Sequence, residues 1–257
     1  MKPRSLIFLF CCALIPAMIA HCGPGAPERE TCVAPTGDPE GSETKSPPAD
    51  YHLQAASVRY DADLDLLVFE QTVAGAAGGT VPTPAGQLNG APVEGYVFPT
   101  DLKGGDVGFD DREGIVALAV TAHPDFDDTP LWDENNDRDY KNDGPVFHSH
   151  WVLLGPDERV PGGLAVQAVD ATSVLPPTNP GMPMYMDSPG FSIVRDGSHI
   201  RVLVPAQRVN HRKDFQYDAV TAFMRVSIGD PDKPMLGVYA VHSVCSGDLS
   251  LPFRTAH

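Results

Sequence analysis

Beyond its first twenty residues this chain has no long apolar run, few positive charges, few cysteines and no sustained stretch of apolar residues at helical spacing. Each shortage excludes something. No later run approaches the ~20 apolar residues that a membrane-spanning helix needs. Lys and Arg number 18 against 34 Asp and Glu, for a formal net charge of -16. Such a surface repels nucleic acid and draws cations. No G-x-S-x-G elbow, P-loop or dinucleotide fingerprint is present, so nucleophile-elbow and nucleotide-dependent chemistries have no starting point.

What is present begins with a leader. Lys2 and Arg4 precede an apolar segment from Leu6 to Ala20, and Cys22 follows in the run MIAHC. This layout is that of an export signal and resembles bacterial lipoprotein signals. The resemblance implies removal of residues 1–21, acylation of Cys22, and a periplasmic or outer-membrane location with the lipid as the only membrane contact. His21 departs from it, standing where that class has a small residue. An ordinary secretory signal, cut nearby, is the alternative. Residues 22–50 are rich in Pro, Gly, Glu, Ser and Thr and read as a disordered tether. Residues 51–257 then form one domain. With Cys11 and Cys12 in the leader, Cys32 and Cys245 remain, either as a disulfide suited to an oxidising compartment or as two thiols.

The domain reads as all-β and mainly antiparallel, because short β-type runs are separated by Gly, Pro, Asp and Asn. Expected strands cover 53–60, 64–73, 93–98, 115–122, 146–154, 164–169, 191–195, 199–204, 219–228 and 236–244. Asp196 and Gly197 suit a tight hairpin turn. The 26 prolines belong in the tether and in long loops. A β-sandwich with long Pro/Gly-rich loops is expected, with a closed barrel as the alternative.

Metal-ligand residue types concentrate between Ala122 and Trp151. In the strand VFHSHWVLL, His148 and His150 share a face. His123 ends the strand 115–122, and His242 lies on the last long strand, where it either joins the same layer or packs in the core. These four, with Asp125, are the candidate ligands of a transition metal, copper or zinc. The run Phe147 to Trp151, FHSHW, resembles the His-x-His zinc strand of α-type carbonic anhydrases. That resemblance carries over His148 and His150 alone; the family's third histidine lies downstream, where this chain offers only His199 without a surrounding match. Asp133, Asn135, Asp137, Asp139 and Asp143 resemble oxygen-rich calcium loops. They do not form an EF-hand, since Arg138 and Gly144 replace its glycine and its glutamate. Met182, Met184 and Met186 alternate in GMPMYMDSPG; they are candidate soft ligands or one buried face of a β-segment.

Three functions follow as expectations. The first is an exported metal-binding module. The second is an enzyme on the same site, a hydrolase or hydratase through metal-bound water, or an oxidase through copper. The third is a calcium-stabilised adhesion or structural module.

Overall fold

The computed structural model describes residues 29–33, 47–124, 136–139 and 146–257. The strands are β1 (Glu30–Thr31), β2 (Leu53–Asp61), β3 (Leu66–Val73), β4 (Pro92–Thr100), β5 (Ile115–Ala122), β6 (His148–Pro156), β7 (Leu164–Val166), β8 (Ser192–Asp196), β9 (His199–Pro205), β10 (Gln216–Tyr217), β11 (Val220–Val226), β12 (Leu236–Val244) and β13 (Phe253–Arg254). All ten expected strands are present, 115–122 and 236–244 with the expected bounds and the others with shifted ends, and the all-β, antiparallel class holds. Three two-residue strands, β1, β10 and β13, are too short to leave a periodic signal.

Five strands form one sheet in the order β1-β2-β3-β9-β8. The other sheet runs β11-β12-β7-β6-β5-β4, and β11 pairs again with β4, from Val220↔Val97 to Arg225↔Pro92. That second pairing closes a six-stranded barrel, with β10 and β13 continuing from the end of β4. The five-stranded sheet lies on the outer wall of the barrel, so the molecule is a sandwich one of whose layers has curled shut.

This arrangement explains why β5 reads as an unbroken apolar run, IVALAVTA. A strand covered on both faces has no polar side to present. Val116, Leu118, Val120 and Ala122 join Leu67, Phe69, Val202 and Val204 in the core between the layers. Trp151 stands in that core with its ring edge-on to Phe69, 6.1 Å between centroids. Ala117 and Ala119 alternate to the other side and face the barrel lumen with Val97, Val152, Met184, Met224 and Val238.

Two expectations are corrected. Residues 22–50 are not wholly a tether: Glu30–Thr31 pairs with Ala56 and Ala55 of β2, Cys32 is bonded to Cys245, and Asp50 is buried. The chain folds there because the disulfide and the sheet edge hold it, neither of which composition registers. Residues 1–28, including Cys22, lie outside the described residues. The β8–β9 hairpin is present, but Asp196 pairs with His199, so its turn residues are Gly197, at φ +59°, and Ser198.

Candidate metal centre

Strand register assembles the histidines. Thr121 of β5 faces His148 of β6, and Ala119 faces His150. His123 follows Ala122 at the end of β5, one pleat beyond Thr121 on the same face, and therefore lies diagonal to His148. Small residues opposite the two β6 histidines leave room for their rings. The centroids are 4.6 Å apart for His123 and His148, 6.1 Å for His123 and His150, and 6.2 Å for His148 and His150. All three residues are at most 3% exposed.

The orientation of His150 is fixed. Its Nδ1 lies 2.7 Å from the backbone carbonyl of Asp187; a carbonyl only accepts, so Nδ1 carries the hydrogen. In the neutral ring the nitrogen without hydrogen is then Nε2, and that nitrogen is sealed from solvent. A carbonyl holding the far nitrogen is the usual support for a metal-bound imidazole. Two rings bound to one ion at tetrahedral angles have centroids about 5 Å apart, given metal–nitrogen bonds of ~2 Å. The observed spacings bracket that value. Among the described residues no group of three or more His, Cys, Asp or Glu is already arranged to hold a metal ion, so the nitrogens would have to turn toward a common point.

Asp187 anchors this wall. Its carboxylate accepts the Trp151 backbone N–H and sits 3.8 Å from Arg208. Burial pushes its pKa up to about 7, more than these partners lower it. A carboxyl raised in this way keeps a proton that the unfolded chain has already released. Its contribution to stability is full below about pH 4 and is lost as pH rises toward 7. Asp187→Asn retains an oxygen for Trp151 and does not titrate. Urea unfolding of the metal-free proteins is expected to show the variant gaining stability relative to the parent as pH rises from about 4 to about 7.

The structure separates His242 from the other three. Thr221 pairs with Ser243 and Ala222 with Val241, which leaves His242 as the extra residue of a β-bulge. The bulge turns it out of the lumen, onto Glu94 at 3.0 Å and the Tyr51 ring at 5.4 Å. Its inclusion among the ligands is corrected on that ground. Asp125, Asp133, Asn135 and Asp143 lie outside the described residues. Asp137 and Asp139 are exposed in a turn where the Asp139 N–H donates to the Asp137 carboxylate at 2.8 Å.

The sequence leaves open whether the methionines approach the histidines, and the fold brings them to one cavity. Met186 bridges to Val152 and Met184 to Ala168, so their segment continues the barrel wall beside β6. Met182, Met184, Met186, His123 and His150 all line one cavity of about 100 Å³ in the lumen. Met224 lines it too and was missed, although it alternates with Val220, Ala222 and Val226 on the lumen face of β11. Gly95 makes space near the histidines: a Cβ there would lie 3.0 Å from the Met224 methyl and 3.3 Å from that of Thr121.

No family model, curated protein or solved structure matches the chain.

Proposed function

We propose that this protein is an exported module that binds one transition-metal ion on His123, His148 and His150, with copper preferred over zinc. The observation that carries the reading is the packing of three buried imidazoles from adjoining strands against one lumen. Three imidazoles gathered on one face of adjoining strands are a donor set suited to copper or zinc. Copper is favoured by its place at the top of the affinity order and by the soft thioethers in the same cavity. With His150 held through its Nδ1, convergence on one ion falls to turns of the His123 and His148 rings about their side-chain torsions. Lipid attachment at Cys22 belongs to the same proposal and rests on the leader sequence.

The test is elemental analysis of protein made with its own leader and isolated without chelator or added histidines. Near-stoichiometric copper supports the reading in full, and zinc would correct the choice of metal. Calcium alone, or no metal after reconstitution with copper and zinc salts, would overturn it.

A further inference from the structure

The cavity beside the histidines is unusual for so narrow a barrel. Even eight-stranded barrels are commonly filled by their own side chains, yet here about 100 Å³ is left inside six strands. Ala119 and Ala222 on its wall present only a methyl group to it. Thr121, His123 and His150 are the polar residues on its wall, and no charged side chain reaches it among the described residues. An ion entering apart from the histidines would lose its hydration without a partner. A dry apolar cavity of similar scale, on the order of 150 Å³, takes up benzene or xenon.

The far end of the lumen has a plug. Leu249 and Leu251 both line the cavity and both hold positive φ, 59° and 54°, a conformation that costs a leucine energy. Leu251 and Ile115 also line a second, more polar hollow of about 480 Å³. These two side chains therefore stand between the lumen and the outer hollow. Ile115 begins β5 and His123 follows its end, so the plug and the histidines occupy opposite ends of that strand. Flexible thioethers between them let the wall adapt to an occupant.

We infer that the barrel lumen is a binding site for a small, uncharged, apolar molecule, which it presents to the His123 and His150 rings. The metal reading is needed only for the chemistry at those rings, since the cavity itself belongs to the metal-free chain. Size and wall chemistry confine the ligand to a handful of non-hydrogen atoms, in the range from a diatomic gas to a short hydrocarbon.

The experiment uses the full metal-free chain labelled at the methionine methyls and the histidine rings, titrated with xenon and then cyclopropane under NMR observation. Saturable shifts are expected at Met184, Met186 and Met224 and at the rings of His123 and His150, with Met235 as a control outside the lumen. Ala119→Leu fills the lumen and should abolish the saturable component; Ala222→Val serves if the first variant does not fold. Acetamide, similar in size but polar, should give no saturable shift. Shifts that stay linear with xenon pressure, survive in the filled variant, spare the histidine rings, or appear equally with acetamide would overturn the proposal. Xenon uptake without copper binding would sink the metal reading alone, and copper binding without xenon uptake would sink this one alone.

Discussion

Replacing His148 and His150 together by alanine is expected to lower copper affinity by at least about a hundredfold while the β-sheet spectrum is kept. Outer partners of metal ligands are commonly worth 10- to 100-fold each, so removing two ligands sets that loss as a floor. The fold should survive because both rings face the lumen, whereas the core that joins the layers is built from Trp151, Phe69, Leu118 and their neighbours. Competition with a chromophoric copper chelator gives the affinity, and urea unfolding shows whether stability accounts for the change. His123→Ala should weaken binding in the same direction, and His242→Ala should leave it unchanged because that ring sits on Glu94 across the barrel wall. Unchanged copper affinity in the double variant would refute histidine ligation.

Loss of the disulfide should produce the largest effect on stability. Cys32 and Cys245 are separated by 213 residues, and closing so long a loop removes much of the freedom of the unfolded chain. The chain-entropy relation gives about 5.4 kcal/mol, or roughly 10–20 °C in Tm for a domain of this size. Paired alanines at both positions avoid placing a hydroxyl at Cys245, which has no solvent exposure. Calorimetry of the variant beside the oxidised parent is the check. A Tm within about 2 °C of the parent would mean that the segment stays docked without the covalent link, through the β1–β2 pairing, the Arg29–Glu70 ion pair and the backbone bonds from residue 32 to Gln54 and from Val33 to residue 245.

What could be read in advance follows from which forces are local. The facing of His148 and His150 depends only on the two-residue period of a strand, so it was legible, as was the apolar run of β5. Closure of the barrel was not, because it rests on β11 finding β4 across more than a hundred residues, and either strand alone looks like any sheet strand. His242 failed for a related reason. Simple alternation puts it in line with Val238 and Val244, but the bulges in β12 break the count, and nothing in LGVYAVHSV marks where they fall. The union of histidines and methionines was also hidden, since the 182–187 segment joins the wall through single bridges and loop hydrogen bonds and leaves no long strand in the pattern.

The clip between Cys32 and Cys245 also shortens the leash. A free segment of 22–50 would let the domain roam up to ~100 Å from an anchored Cys22, at roughly 3.5 Å per extended residue. With the chain paired from Glu30 and pinned at Cys32, the proposed lipid anchor at Cys22 would leave only seven residues between itself and the folded body, a reach of about 28 Å. A pull from such an anchor would meet the β1–β2 pairing first and then, through the disulfide, Cys245 just past the end of the barrel strand β12. Reducing the bond would at once lengthen the reach and reroute the force.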